Sequence, residues 1–168
     1  HWREDVFKNI RDALDDLSRT PIYIDDQPGN SIMKMRSAAR KLKIEKGLKL
    51  LVVDYLQLMA PSTARANDSM VQQVTENSRS LKHLARELNI PVIALSQLSR
   101  AIETRGGKPK LSDLRDSGAL EQDADCVIFI HSNEDDIRDE SGKVKDVQRK
   151  ELIIAKHRNG PLGHAVLD

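Results

Sequence analysis

The sequence predicts an α/β fold with a doubly wound, mostly parallel sheet flanked by helices. Strand-like and helix-like segments alternate along the chain, which is the pattern of such sheets. The strand-like segments are nearly all apolar, as expected for strands covered on both faces. The 168 residues have the length of one domain that can bury a core. We therefore expect a single domain over residues 1–168 and no second one.

Two helices and two strands are predicted in the first part of the chain. Apolar residues at helical spacing indicate the first helix, and a proline ends it. A serine that follows a Pro-Gly turn is placed to cap the second helix. The predicted elements are a helix over 3–17 ended by Pro21, a strand over 22–26, a helix capped by Ser31 and buried through Ile32, Met35, Ala39 and Leu42, and a strand over 50–58 (LLVVDYLQL).

The second part is predicted to hold one long helix and three strands. Ser69, followed three residues later by Gln72, has the capping-box pattern that starts the helix. Val71, Val74, Leu81, Leu84 and Leu88 line one side of this helix. Three segments are predicted as strands: 91–98, 123–130 and 151–158. Polar loops are predicted before the long helix, over 60–68, and after the first two of these strands, over 99–112 and 132–149. The loop over 99–112 is expected to be mobile because it contains Gly106, Gly107 and Pro109.

Composition narrows the class of protein. A net charge of +1 gives no overall attraction to nucleic acid, so any basic surface must be local. The single cysteine, Cys126, excludes an intrachain disulfide framework and suits a reducing, cytoplasmic compartment. No apolar run has membrane-spanning length, and the first residues do not form a signal peptide. The aromatic content of 3% argues against recognition of single strands by base stacking.

Polar residues at the ends of two predicted strands are candidates for a nucleotide site, because ligands gather at the carboxyl ends of parallel strands. Asp54 follows four apolar residues, the form of a Walker B strand whose carboxylate binds Mg²⁺ beside phosphates. A plainer interpretation is that Asp54 caps the next turn. Gln97 ends the following strand, and its amide can hydrogen-bond a γ-phosphate or an attacking water. Gln97 can equally be an ordinary polar residue at a strand exit.

Two basic residues, Lys156 and Arg158, alternate at the end of the last predicted strand and project to the same side. A pair of cations can reach a phosphate there, and a guanidinium can do so with two hydrogen bonds. Basic residues at a strand end are also often simply solvated. His157 lies between them on the opposite side, and we interpret it as structural.

The segment 110–125 (KLSDLRDSGALEQDAD) is the most distinctive one. Arg115 can meet a phosphate, and Gly118 permits close approach of a ligand to the backbone. Asp116 can orient Arg115 or fix the loop. An alternative interpretation is a helix start, with Asp113 as its N-cap and acidic residues in the first turn.

These motifs together resemble the motor domain of DnaB-type replicative DNA helicases. The resemblance covers nearly all of the chain in the order of the family, and the LRDSG and KHRNG motifs are specific to it. It is carried by the runs LSRTPIYIDDQPGNSIMKMRSAARKLK, LLVVDYLQLM, SRSLKHLARELNIPVIALSQLSR, SDLRDSGALEQDAD and IIAKHRNGPLG.

The resemblance implies a RecA-like ATPase that uses ATP and Mg²⁺ and forms a homo-hexameric ring around single-stranded DNA. It also implies a primase and a helicase loader as partners, and no membrane. By position, Asp54 looks like the Walker B carboxylate and metal ligand of the family, and Gln97 looks like its γ-phosphate sensor. Lys156 and Arg158 look like the basic pair that reaches the neighbouring subunit's nucleotide. Arg115, Asp116 and Gly118 look like the loop that follows the DNA backbone.

The sequence departs from the family pattern at several positions. Asp116 stands where the family usually has Glu, His157 replaces the usual Gln, and HSNEDD (131–136) replaces an Arg and aromatic residues, which puts in doubt a base-packing contact there. No GxxxxGK motif followed by Ser or Thr occurs in the chain. In the family that phosphate-binding loop and the water-activating glutamate precede the matched segment, and a last strand follows it.

We therefore expect a partial RecA-like motor domain that runs from the Walker B strand to the basic-finger strand. Its sheet should have an unpaired gap where the phosphate-loop strand belongs, and these residues alone should not hydrolyse ATP. The predicted function is that of a helicase fragment. A catalytically inactive remnant that binds single-stranded DNA or helicase subunits is the alternative. A different RecA-like ATPase is a third possibility, which LRDSG followed by EQDAD argues against.

Overall fold

The computed structural model describes residues 2–60, 69–114, 118–132, 143 and 149–167. Within these residues five helices and five strands follow one another, with short 3₁₀ turns at Leu56–Leu58 and Leu111–Asp113. The elements are α1 (Trp2–Arg19), α2 (Ile32–Lys46), β1 (Leu51–Val53), α3 (Met70–Leu88), β2 (Val92–Ala94), α4 (Ala101–Arg105), α5 (Gly118–Asp123), β3 (Cys126–His131), β4 (Lys150–His157) and β5 (Gly163–Leu167).

The predicted α/β class is confirmed, with a more mixed strand pairing than the sequence predicts. β1 and β2 are parallel and pair from Leu51↔Val92 to Val53↔Ala94, because the long helix α3 makes the crossover that parallel strands require. β3, β4 and β5 form a separate antiparallel sheet in that order. Only five residues, 158–162, connect β4 to β5, and so short a connection leaves room for a hairpin but not for a crossover.

A gap separates the two sheets. β2 pairs with β1 alone and β3 with β4 alone among the described strands, so each of these strands presents an unpaired edge. A cavity of about 640 Å³ is lined by residues of both, including Ala94, Leu95, Val127 and Phe129. We name this space the β2/β3 gap. The β2/β3 gap agrees with the expectation of an unpaired gap where the phosphate-loop strand belongs.

Helix ends follow the predicted capping chemistry. The Ser31 hydroxyl accepts a hydrogen bond from the Lys34 N–H at the start of α2, and Ser69 forms a complete capping box with Gln72 at the start of α3. Because unpaired N–H groups at a helix start need acceptors, these side chains fix where the two helices begin. Of the residues predicted to line α3, four are buried, whereas Val71 is exposed.

The core lies where α2 and α3 pack against β1. One cluster contains Ile32, Val53, Leu56, Met59 and Leu81. A second contains Ala39, Leu84, Leu88 and Ile90, with Leu48 and Leu51 packed against it. Both helices therefore pack against β1. The last residue of this strand, Val53, is buried and directly precedes Asp54.

Several predicted elements are wrong in extent or kind. Residues 22–26 form no strand; Ile24 is 86% exposed, and no described strand pairs with this segment, so apolar residues alone do not make it a strand. The strand predicted over 50–58 ends at Val53. Val52 and Ile93 are exposed, so these strands are not covered on both faces. β5 was not predicted, and no helix in the described part of the chain is long and apolar enough to cross a membrane.

Candidate functional site

Asp54 and Gln97 follow the carboxyl ends of the two parallel strands. Val53 and Ala94 are partners in the register, so Asp54 leaves the sheet beside Leu95, two residues before Gln97. The Leu95 N–H donates to the Val53 carbonyl at 2.9 Å, and the Leu56 N–H donates to the Leu95 carbonyl at 3.0 Å. Both candidate side chains are exposed. The peptide bond that follows Asp54 is cis.

A side-chain contact also ties the two strand ends together. The Gln57 amide nitrogen donates to the Ser96 hydroxyl at 3.0 Å. The other amide atom, Oε1, is buried, and no described residue donates to it. Sequence reasoning missed Gln57, although a polar residue between Leu56 and Leu58 is a signal that could have indicated it. The contact joins the segment that follows Asp54 to the residue directly before Gln97.

The donor set at Asp54 is compatible with a magnesium ion that accompanies a nucleotide. In the described residues no group of three or more His, Cys, Asp or Glu side chains could hold a metal ion, so a cage built by the protein is not available there. A magnesium ion that accompanies a nucleotide keeps several waters and takes one or two carboxylates plus phosphate oxygens. A single exposed carboxylate at a strand end is compatible with that requirement.

Lys156 and Arg158 both contact the carboxyl end of α5. The Lys156 ammonium donates to the carbonyls of Glu121 and Gln122, and an Arg158 N–H donates to the Gln122 carbonyl at 3.0 Å. The predicted projection to one side is thus confirmed. Carbonyls in the last turn of a helix have no partner within the helix and carry partial negative charge, which cations there stabilise. The sequence did not indicate this contact with α5.

Asp125 completes the surroundings of the basic pair. Its carboxylate forms an ion pair with Lys82 and lies 3.5 Å from Nε of Arg158. The hydrogen bond from Lys82 is the largest of the effects that hold the pKa of Asp125 below its ordinary value, and the charges of Lys82 and Arg158 add to it. The carboxylate therefore stays ionised at neutral pH and keeps a negative charge beside the basic pair.

His157 packs on the turn after β4. Its Nδ1 lies 3.3 Å from the Pro161 carbonyl oxygen, and a Cβ atom added to Gly160 would overlap the imidazole ring. These contacts support the structural interpretation of His157. They also explain why position 160 is a glycine, because the imidazole ring occupies the space that a side chain at this position would need.

The loop that follows Gln97 makes several specific contacts, and its predicted mobility stays a prediction. Leu98 and Leu114 form an antiparallel bridge, and α4 lies between them in the chain. Asp113 is buried and accepts hydrogen bonds from Arg105. The alternative interpretation of Asp113 as the N-cap of a following helix is wrong, since Asp113 ends a 3₁₀ turn and Leu114 after it has an extended backbone.

The structure brings some predicted site residues together and leaves others apart. Asp54 and Gln97 follow the strands of the parallel sheet, whereas Lys156 lies in β4 of the antiparallel sheet, Arg158 directly follows β4, and both contact α5. Gly118 is the first residue of α5, and no described atom lies within 4 Å of where its Cβ would be, so its backbone is open to approach. Arg115 and Asp116 lie outside the described residues.

A parallel strand pair followed by a carboxylate and an amide, inside an α/β fold, is compatible with a RecA-like ATPase. The family model for the DnaB-like helicase C-terminal domain matches residues 2–168. The chain belongs to this family.

Relatives and solved structures agree with that assignment. The chain is 48% identical over 161 residues to the replicative DNA helicase DnaC of Bacillus subtilis (strain 168), covering 95% of this chain and 34% of that protein. It is 50% identical over 152 residues to the replicative DNA helicase DnaB of Geobacillus stearothermophilus, covering 90% and 32%. The chain therefore spans about a third of the length of these relatives.

Two solved structures have a similar backbone. A DnaB-like replicative helicase, described with its interactions with primase, matches with a TM-score of 0.83 and 42% identity over 95% of this chain and 38% of that one. A separately solved ATPase domain matches with the same TM-score and identity over 95% of this chain and 55% of that one.

Proposed function

We propose that the chain is part of the motor of a ring-shaped replicative DNA helicase, which couples ATP hydrolysis to movement along single-stranded DNA and to duplex unwinding. The observation that carries the proposal is the pair of strand ends that places Asp54 beside the segment with Gln97. The relatives are helicases, which favours this function over a catalytically inactive remnant that only binds DNA or other subunits.

Asp54 and Gln97 are the residues proposed to face the nucleotide. Asp54 orients the water shell of the magnesium ion that accompanies ATP, and that ion supplies neutralisation of phosphate charge. The Gln97 amide is both a donor and an acceptor, so it can hydrogen-bond a γ-phosphate oxygen and the attacking water. The Gln57–Ser96 hydrogen bond supports both roles, because it keeps the two strand ends at a fixed separation.

Lys156 and Arg158 are proposed to act on the nucleotide of a neighbouring subunit in a homo-hexamer. The side chain of Arg158 is 46% exposed, so its guanidinium can turn from α5 toward a phosphate held outside the subunit. Guanidinium groups that enter from a neighbour stabilise the charge that develops during phosphoryl transfer. The pair belongs to a different sheet from the strands before Asp54 and Gln97, and action in trans does not require it to lie beside them.

The DNA contact is proposed for Arg115, Asp116 and Gly118, which precede or begin α5. Such a contact would follow the phosphate backbone rather than read bases. The further partners proposed from the family are a primase and a helicase loader, and the proposed location is the cytoplasm. One of the solved structures was described with primase, which supports the first of these partners.

Hydrolysis of Mg²⁺-ATP by the full-length protein that carries this segment, with and without a thymidine oligonucleotide, tests the proposal. Asp54→Asn should lower kcat by about 100-fold or more, because loss of correct metal placement costs several kcal/mol of transition-state stabilisation. Nucleotide binding should partly survive. Asp26→Asn, which changes an exposed aspartate outside the site, is the matched control. DNA-stimulated turnover that persists in Asp54→Asn would remove Asp54 from the site.

A second measurement concerns the 168 residues by themselves. They contain no GxxxxGK motif followed by Ser or Thr, so the cradle of backbone N–H groups that holds phosphates in P-loop proteins is absent from this stretch. The isolated chain should therefore not hydrolyse ATP above background. Turnover comparable to that of a complete helicase would contradict this expectation.

A further inference from the structure

One backbone bridge connects the predicted nucleotide and DNA segments. Leu98, which directly follows Gln97, pairs with Leu114 in an isolated antiparallel bridge. Beside it, the Ser99 N–H donates to the Asp113 carbonyl at 2.8 Å. The chain continues from Leu114 toward α5. A single bridge is a weak connection on its own, because one or two hydrogen bonds contribute little net stability.

An ion pair holds this bridge in place. Two N–H groups of Arg105 donate to the two carboxylate oxygens of Asp113, each at 2.7 Å, and the Lys110 N–H donates to Oδ2 at 2.7 Å. Asp113 is only 5% exposed. We call this arrangement the Arg105–Asp113 clamp. Removing Arg105 would leave a buried carboxylate without its charge partner, which proteins tolerate poorly.

The clamp acts where the backbone is otherwise free to move. Gly106 and Gly107 have φ values of +69° and +80°, and glycines of this kind leave a loop with many accessible conformations. Arg105 also donates to the Lys108 carbonyl at 3.2 Å, which bridges the two glycines. The hydrogen bonds from Arg105 are the main reason that the pKa of Asp113 lies below its ordinary value, so the carboxylate stays charged at neutral pH.

A second ion pair connects the same loop to the antiparallel sheet. The Lys108 ammonium lies 2.7 Å from the carboxylate of Glu151 in β4, the strand that ends near Lys156 and Arg158. The loop therefore touches three parts of the proposed machinery: the end of β2, the chain that leads to α5, and β4. Its geometry depends on Arg105 and Asp113 at its centre.

We propose that Arg105 and Asp113 are positioning residues that hold Leu114 against the segment after β2 that carries Gln97 and Leu98, so that a change in nucleotide state sensed at Gln97 reaches the proposed DNA contact. The inference rests on the proposed helicase function and adds the coupling device to it. Neither residue is among those proposed to touch nucleotide or DNA. Both act through the Leu98–Leu114 bridge.

The test compares Arg105→Gln, Asp113→Asn and Arg105→Lys in the full-length protein that carries the segment. Arg19→Gln is the matched control, because Arg19 pairs with Asp16 on the exposed surface of α1. Three quantities are measured for each variant: basal ATP hydrolysis, hydrolysis with a saturating thymidine oligonucleotide, and hydrogen–deuterium exchange of the peptide that contains the Ser99 amide.

Arg105→Gln and Asp113→Asn should keep basal hydrolysis within about twofold while reducing the stimulation by DNA about tenfold, which corresponds to a coupling free energy near 1.4 kcal/mol. Exchange at Ser99 should become faster in both. Arg105→Lys, which retains the charge but loses the two-pronged geometry, should recover part of the stimulation. Arg19→Gln should behave like the unmodified protein.

Three results would overturn the inference. Faster exchange at Ser99 with undiminished stimulation would mean that the clamp only stabilises the loop. Equal losses of basal and stimulated hydrolysis would point to general damage rather than coupling. An unmodified protein that hydrolyses ATP without any response to DNA would refute the proposed function itself, and the coupling with it.

Discussion

Leu84→Ala is expected to destabilise the core that supports β1. Leu84 lies in the C-terminal part of α3, is 1% exposed and packs with Ala39, Leu88 and Ile90. Removing three methyl- or methylene-sized groups from such a site lowers the free energy of unfolding by about 2–5 kcal/mol, which combines the lost transfer free energy with the cost of the cavity left behind. We expect about 3 kcal/mol, because α2 and α3 are fixed by their caps and cannot easily close the cavity.

Urea denaturation of the isolated chain, followed by far-UV circular dichroism, measures this loss. The free energy of unfolding should fall by about 3 kcal/mol with an unchanged dependence on urea, and Tm should fall by about 6–12 °C for a chain of this length. Leu58→Ala is the matched control, since Leu58 is 61% exposed. It should cost less than about 1 kcal/mol. Equal losses in the two variants would refute the placement of α3 against β1.

Three further predictions concern charged residues. Arg158→Ala in the full-length protein should leave ATP affinity nearly intact but lower kcat strongly, since a guanidinium acting in trans stabilises the transition state; an equal loss of nucleotide affinity in equilibrium titrations would contradict this role. Arg115→Ala should weaken binding to single-stranded DNA and reduce the slope of log affinity against log salt by about one unit, and an unchanged slope would place the contact elsewhere. The pKa of Asp125 in the folded protein lies below its ordinary value of 3.8, so its stabilising effect is complete above that pH and is lost as the pH falls toward the folded value. Asp125→Asn should therefore reduce the drop in Tm on acidification. An unchanged drop would contradict the contribution of the Lys82 ion pair.

Local signals in the sequence predicted much of the fold. Ser31 and Ser69 marked the starts of two helices because capping depends on residues only three positions apart. The apolar run before Asp54 correctly placed this side chain directly after a strand, whereas the strand predicted over 91–98 ends at Ala94, three residues before Gln97. Residue identity and short spacing suffice for such features, since the interacting atoms are neighbours in the chain.

The features that were missed depend on contacts between distant segments. Residues 22–26 have strand-like composition, but strand formation requires a partner edge, which no local pattern specifies. Whether β3, β4 and β5 run parallel or antiparallel to one another depends on the lengths of the connections between them. Arg105 and Asp113 lie eight residues apart across two glycines, so their pairing follows from the loop conformation rather than from helical or strand periodicity.

The contact of Lys156 and Arg158 with α5 has a consequence for the order in which the protein folds during synthesis. A helix of six residues is too short to persist alone in water, and the cations that stabilise the end of α5 lie 35 residues further along the chain. At about 5–20 residues per second of translation, Gly118–Asp123 would wait about 2–7 s before Lys156 is synthesised. The contact between Ser78 of α3 and Asp123 involves an earlier part of the chain, so it can form first, whereas the cations at the end of α5 become available only when β4 has been synthesised.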